Sequence, residues 1–177
     1  DVALIYYSGH GLQYENRDYL LPTDFNREKG MLGDVPSIAT ILAKTQEEHR
    51  RNNPDIIVVD ACRSTNFSWQ GRGYSERISI EAEPNTILLY STASTNTAND
   101  DGIFASSFVK QIGSGEDIVH EFANISIEVN ELSKGEQIPK NQSGLLSKER
   151  FYFKKNIIFA VSNLHKLLLT IKKLQLC

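Results

Sequence analysis

Three short runs of apolar residues constrain the fold of this chain more than any other feature. They lie at residues 2–8, 55–59 and 86–90, and each is rich in β-branched, large aliphatic or aromatic side chains. Runs of this length that stay apolar at successive positions are typical of strands covered on both faces, as in the middle of a parallel sheet. We therefore predict an α/β domain whose central strands come from these three runs.

The segment between the first two runs predicts the crossover that parallel pairing requires. Residues 12–22 hold two β-prone pieces around polar turn residues, which indicates a hairpin. Apolar residues then recur at helical spacing from Asp34, the expected N-cap, to Arg51. Residues 52–54, Asn-Asn-Pro, end that helix. A strand, a hairpin, a helix and a second strand follow in an order that permits parallel pairing.

The second half of the chain predicts two more helices. One covers about residues 104–112 with Asp101 as its cap, and the other covers residues 118–132 before Gly135. A last short strand is expected at residues 150–153. Residues 64–85 show no period and are predicted to form a long loop.

A histidine and a cysteine follow two of the predicted strands. His10 stands between Gly9 and Gly11 after the first run, and Cys62 comes three residues after the end of the second. The carboxyl ends of parallel strands meet at one edge of a sheet, where open α/β sheets bind ligands. A cysteine becomes a strong nucleophile when a neighbouring base produces the thiolate, and histidine commonly acts as that base. The shared position favours a catalytic pair over a structural cysteine and a core histidine.

The motifs around these two residues resemble those of the caspase-like cysteine peptidases, which include caspases, paracaspases and metacaspases. Tyr7-Ser8-Gly9-His10-Gly11 is similar to the family's histidine motif, and Asp60-Ala61-Cys62-Arg63 to its nucleophile motif. His10 precedes Cys62 by roughly fifty residues, as in caspases. The resemblance extends over residues 1–153. Further landmarks of the small-subunit half are similar at residues 90–92, 137–139 and 151–153.

The resemblance implies a caspase-like (caspase–haemoglobinase) three-layer α/β/α sandwich with a mostly parallel sheet. It implies a large-subunit part at 1–63, a linker loop at 64–85 and a small-subunit part at 86–153. The family's first strands are expected to be missing, so that the catalytic domain would be incomplete at its N-terminus. The linker is often cut in the family, and Arg72 and Arg77 are candidate cut sites; a plain surface loop is the alternative. The tail at 154–177 lies outside the resemblance and predicts an amphipathic basic helix, which we expect to pack on the domain or a partner; association with a membrane surface is the alternative.

The activity implied by the resemblance is that of a cysteine endopeptidase with a thioester acyl-enzyme. His10 and Cys62 would form the catalytic dyad, and the backbone N–H groups of Cys62 and Gly11 would bind the oxyanion. Asp60 and Asp100 map to the substrate-binding positions that recognise the residue before the scissile bond. Two carboxylates there favour Arg or Lys and repel Asp. Local hydrogen bonding for Asp60 and a helix-entry role for Asp100 are the alternatives.

A catalytically silent scaffold or signalling module of the same fold is the alternative function. The presence of both His10 and Cys62 disfavours it. A flavodoxin-like binding domain would need a phosphate-binding loop after a strand, and the glycines near His10 do not provide one. The expected partners of a peptidase are protein or peptide substrates. A second copy of the chain and flanking domains of the full-length protein are the other candidate partners.

Composition restricts the remaining classes of partner and cofactor. A net charge of −3 gives no basic field for nucleic acid, and no apolar run is long enough to span a membrane. Two cysteines do not make a disulfide framework, so we expect a cytoplasmic protein. No cofactor is expected. Metacaspases often need calcium, and Asp18, Asp24 and Asp34 lie in the corresponding region without reproducing that ligand set, so calcium dependence is left open.

Overall fold

The computed structural model describes residues 2–14, 17–25, 35–48, 54–64, 82–92, 102–145 and 150–153. These residues form five strands and three helices. The strands are β1 (Ala3–Tyr14), β2 (Arg17–Leu21), β3 (Asp55–Ser64), β4 (Thr86–Tyr90) and β5 (Lys140–Ser143). The helices are α1 (Ile38–Glu48), α2 (Ile103–Gln111) and α3 (Ile118–Leu132).

The strands of the described residues form one mixed sheet in the order β2-β1-β3-β4-β5. β1, β3 and β4 pair in parallel, and they contain the three apolar runs. β2 pairs antiparallel with β1 at one edge, and β5 pairs antiparallel with β4 at the other. The predicted parallel centre and the predicted hairpin are therefore confirmed, while the two edges are antiparallel.

Helices cover both faces of the sheet, as the three-layer prediction requires. Alternate residues of β3 point to opposite faces because the side-chain period of a strand is two. Ile57 and Val59 pack with α1 on one face, and Ile56 and Val58 pack with α2 and α3 on the other. All four side chains are buried, which explains why the sequence of this strand is apolar without alternation.

β1 and β3 extend further than the sequence predicted. We expected the first strand to end before His10 and the second at Val59, but β1 continues to Tyr14 and β3 to Ser64. The reason is pairing on both sides, because residues 10–12 of β1 have partners in β2 and in β3 at once. The prediction that the histidine lies beyond a strand end was wrong, and it lies inside a paired strand.

The predicted last strand at residues 150–153 is not part of the sheet. Tyr152 forms only an isolated bridge with Asp117, while Phe151 and Phe153 are buried in the core. The edge position next to β4 is taken by β5 instead. Lys-Asn-Gln-Ser lacks the apolar alternation that predicts strands, so this edge strand could not be read from hydrophobic pattern.

The caps seen at the helix starts are not residues that the sequence analysis named as caps. Ser37 caps α1, since its Oγ accepts a hydrogen bond from the Thr40 N–H at 3.1 Å; the predicted cap, Asp34, lies outside the described residues. The predicted cap of α2, Asp101, also lies outside them, and α2 follows Gly102 without a side-chain cap. Asp117 caps α3 by accepting from the Val119 N–H at 3.1 Å.

Several predicted features lie in parts of the chain that the structure does not describe. They are most of the linker loop with Arg72 and Arg77, Asp100 in the loop after β4, and the basic tail from residue 154. Within the described ranges, no helix is both long enough and apolar enough to cross a membrane.

Candidate active site

The strand register places His10 beside Cys62. In the parallel β1–β3 ladder the two residues are direct partners, within a continuous register from Ala3–Asp55 to Leu12–Ser64. Neighbouring strands lie about 4.8 Å apart, which is within reach of a contact between short side chains. The His10 side chain is exposed to solvent. For Cys62 the structure describes the backbone position. The arrangement therefore brings a solvent-accessible imidazole to the strand position next to the cysteine.

Tyr7 contacts the backbone at the histidine. Its hydroxyl lies 2.8 Å from the carbonyl oxygen of His10 and 2.8 Å from that of Leu21, so it donates its proton to one or the other. His10 and Leu21 are partners in the β1–β2 ladder. Partial burial raises the pKa of Tyr7 above its ordinary value of 10.0, and the hydroxyl therefore remains a donor at neutral pH.

The two glycines beside His10 differ in their surroundings. A Cβ at Gly9 would lie 2.7 Å from the Tyr7 hydroxyl oxygen, closer than real Cβ contacts, so the side chain of Tyr7 requires glycine there. Gly11, the proposed oxyanion donor, lies inside β1 and is paired with Leu20 on β2 and with Arg63 on β3. Its place one residue after His10 is thus in a strand and not in a loop.

Asp60 lies two residues before Cys62 and receives a hydrogen bond from Tyr6. The Tyr6 hydroxyl donates to Asp60 Oδ2 at 3.2 Å, between side chains that are both half-buried. Burial, the Asp60 charge and this hydrogen bond raise the pKa of Tyr6 far above its ordinary value. The Tyr6 ring also packs on Phe108 of α2, with ring centroids 5.3 Å apart. Asp60 is thus held at the carboxyl half of β3, close in register to the dyad.

The end of β4 is fixed where the loop with Asp100 begins. The Ser91 N–H donates to the Val59 carbonyl at 2.9 Å, and Gln137 Nε2 donates to the Ser91 carbonyl at 2.8 Å. Ser91, Thr92 and Gln137 are all buried. The loop therefore departs from an anchored point beside β3, although Asp100 itself lies outside the described residues.

Sequence reasoning missed the contacts of Tyr6, Tyr7 and Gln137. Tyr6 was predicted only as a member of an apolar strand, Tyr7 also as the first residue of the histidine motif, and Gln137 only as part of a family-like landmark. For the two tyrosines, the sequence signal was a phenol hydroxyl on an otherwise apolar strand shortly before the histidine. Buried tyrosine hydroxyls generally find a hydrogen-bond partner. The partners themselves come from distant parts of the chain and are set by the tertiary fold.

The described residues contain no group of three or more His, Cys, Asp or Glu side chains that could hold a metal ion. Asp18 is buried on β2, opposite Gln13 in the ladder, whereas Asp24 is exposed beyond the end of that strand. Asp34 lies outside the described ranges. The structure therefore does not show these three candidate calcium ligands as one group, and calcium dependence stays open, as the sequence left it.

Comparison with known proteins identifies the family of the chain. A search of curated proteins found no match to the chain. The family model described as the caspase domain matches residues 1–151, which is most of the chain. That match includes the paired His10 and Cys62, the Tyr6–Asp60 contact and all five strands. The chain therefore belongs to the caspase-domain family, whose members are cysteine peptidases.

Proposed function

We propose that this chain is a cysteine endopeptidase that cleaves after Arg or Lys through a dyad of His10 and Cys62. The observation that carries the proposal is the direct pairing of these two residues across the parallel β1–β3 ladder. Membership of the caspase-domain family supports the peptidase chemistry. The preference for a basic residue rests on the carboxylates of Asp60 and Asp100.

The proposed reaction begins with transfer of the Cys62 thiol proton to the His10 imidazole. The thiolate attacks the scissile carbonyl carbon, and a tetrahedral oxyanion forms. Its collapse breaks the C–N bond, while the His10 imidazolium gives its proton to the departing amine. A thioester acyl-enzyme remains. Water, deprotonated by His10, then attacks the thioester and releases the new carboxylate and the thiol.

Oxyanion stabilisation is assigned to backbone N–H groups of Cys62 and Gly11. Donors aimed at the developing oxyanion are usually the largest single contribution to catalysis of acyl transfer. Gly11 follows His10 directly and lacks a side chain, so a substrate carbonyl can approach its backbone closely.

Specificity for a basic residue is assigned first to Asp60. Its carboxylate accepts a hydrogen bond from the Tyr6 hydroxyl at 3.2 Å and is half-buried beside the dyad. A guanidinium would bind such a carboxylate bidentately, and an ammonium would bind it as a point charge. Asp100 would add a second negative charge from the loop after β4.

The test is cleavage of matched peptides that end in Arg, Lys or Asp before a reporter group. We expect the 177-residue chain to cleave the Arg and Lys peptides, and Cys62→Ala to abolish cleavage. Asp60→Asn keeps the size of the side chain and removes its charge. Loss of one partner of such a charge pair costs about 2 kcal/mol or more, so kcat/KM for the Arg peptide should fall at least about 30-fold. Preferred cleavage after Asp would refute the assignment of Asp60 and leave the peptidase chemistry intact.

A further inference from the structure

The side chain of Tyr7 extends along β1 past Gly9 to the peptide group of His10. Tyr7 and Gly9 are two positions apart and so share a face of the sheet. A Cβ at Gly9 would lie 2.7 Å from the Tyr7 hydroxyl oxygen and 3.0 Å from its Cζ, so the ring occupies the space above this glycine. The hydroxyl then reaches the carbonyl oxygen of His10 at 2.8 Å. The ring therefore ends at the histidine's own backbone.

The same hydroxyl joins the two strands at the open end of the hairpin. His10–Leu21 is the last pair of the β1–β2 ladder, which runs back to Tyr14–Arg17 at the turn. The Tyr7 hydroxyl is also 2.8 Å from the Leu21 carbonyl, so both partners of this last pair face one donor. Because His10 is paired with Cys62 on its other side, a shift of the backbone here changes the separation of the dyad.

We propose that Tyr7 is a positioning residue of the dyad, whose hydroxyl fixes the peptide group of His10 and thereby the place of the imidazole beside Cys62. This inference rests on the proposed function and assigns a role to a residue that does not touch the substrate. Gly9 belongs to the same device, since its missing side chain lets the phenol ring pass. When the Tyr7 hydroxyl is removed, we expect the His10 imidazole to stabilise the Cys62 thiolate less.

The experiment measures the reactivity of the Cys62 thiol in the whole chain. Cys177→Ser leaves Cys62 as the single cysteine, and its alkylation by iodoacetamide is followed by mass spectrometry from pH 5 to 10. The variant is Tyr7→Phe, which keeps the ring and removes the hydroxyl. Tyr19→Phe is the matched control, because Tyr19 is a half-buried tyrosine of the same hairpin. Thermal melting of each variant reports on folding.

We expect Tyr7→Phe to move the half-plateau pH of alkylation upward by about half a unit to one unit, since the thiolate loses part of its imidazolium partner. On an arginyl peptide, kcat should fall about tenfold, because small misplacements of a catalytic group are costly. KM should stay within about twofold of the reference. Tyr19→Phe should change none of these quantities. Gly9→Ala, whose methyl group displaces the Tyr7 ring together with its hydroxyl, should reproduce the shift if Tyr7→Phe does not fold.

The experiment distinguishes failure of the proposed role of Tyr7 from failure of the proposed dyad. An active reference chain in which Tyr7→Phe has the alkylation profile and kcat of Tyr19→Phe would reject the role of Tyr7 alone. A reference chain that cleaves nothing and alkylates as an ordinary thiol, with its half-plateau near pH 8.5, would reject the dyad and the role of Tyr7 with it.

Discussion

Gly9→Ala is the substitution whose effect follows most directly from the geometry of the sheet. The added Cβ would lie 2.7 Å from the Tyr7 hydroxyl oxygen, 3.0 Å from Cζ and 3.4 Å from Cε1. The hydroxyl cannot yield freely, because carbonyl oxygens of His10 and Leu21 each lie 2.8 Å from it. The methyl group therefore displaces the ring and breaks the link between Tyr7 and the backbone at His10.

The expected cost has two parts. The φ of Gly9 is +157°, at the border of the extended region, so backbone strain adds about 1 kcal/mol. Displacing the hydroxyl from its acceptors adds about 1–2 kcal/mol. The free energy of unfolding should fall by about 2–3 kcal/mol, which lowers the melting temperature by roughly 5–10 °C for a chain of this size.

The assay combines thermal melting with peptide cleavage. Gly135→Ala is the matched control, because its φ of +84° strains an added side chain while nothing lies within 4 Å of its Cβ. Gly135 follows α3, away from the dyad, so this control should lose stability and keep its kcat. Gly9→Ala should lose both. A double-mutant cycle with Tyr7→Phe should give a coupling energy of about 1 kcal/mol. Additive effects, or a normal kcat in Gly9→Ala, would refute the contact with Tyr7.

Three further substitutions have predictable effects. Tyr6→Phe removes the donor to Asp60, so kcat/KM for an arginyl peptide should fall about fivefold while alkylation of Cys62 is unchanged; an unchanged kcat/KM would contradict the pocket. Burial raises the pKa of Asp117, but hydrogen bonds, chiefly from His120, outweigh it and lower the pKa below its ordinary value of 3.8. The stability that Asp117 adds is therefore present above that pH, and the gap to Asp117→Asn, about 1 kcal/mol in denaturant titrations, should close as the pH falls below it. Burial raises the pKa of Glu121, so in the same denaturant titrations the stability of Glu121→Gln relative to the parent chain should increase as the pH rises above 4.5, the ordinary value; a difference that does not change with pH would contradict the raised pKa.

The parallel centre of the sheet could be predicted because its strands are apolar on both faces. Residues 55–59 and 86–90 are buried throughout, and covering on both sides leaves a continuous apolar run in the sequence. The hairpin at 12–22 and helix α3 were predicted for similar local reasons, from turn residues and from helical spacing. The local amino-acid pattern alone is therefore enough to predict these elements.

The edges of the sheet and the exact strand ends could not be predicted in this way. β5 consists of polar residues and is held by backbone pairing to β4. Just after the end of β5, the Gly144 N–H donates to the Thr86 carbonyl at 2.8 Å. β1 continues through His10 because two neighbouring strands pair with it there. Such pairing depends on partners that are remote in sequence, and no local pattern reveals it.

In the candidate site, too, the sequence predicted some residues and did not predict their long-range contacts. That His10 and Cys62 lie near each other could be predicted from their positions after two apolar runs, although both lie inside paired strands and are direct partners in the register. The contacts of Tyr6 with Asp60 and of Tyr7 with Leu21 span 54 and 14 positions. Both tyrosines satisfy the pattern of a buried strand, so hydrophobicity alone could not separate their supporting roles from packing.

Covalent labelling of the cysteines tests the dyad most directly. The 177-residue chain is treated with an arginyl peptide that carries a thiol-reactive electrophile, and the adduct is located by mass spectrometry; an aspartyl analogue and His10→Ala serve as controls. We predict an adduct on Cys62 and none on Cys177, formed at least about 30-fold faster than with the aspartyl peptide. His10→Ala should slow labelling about 100-fold, as loss of a general base does. Equal, slow labelling of both cysteines that does not depend on His10 would contradict the dyad and favour a non-catalytic caspase domain.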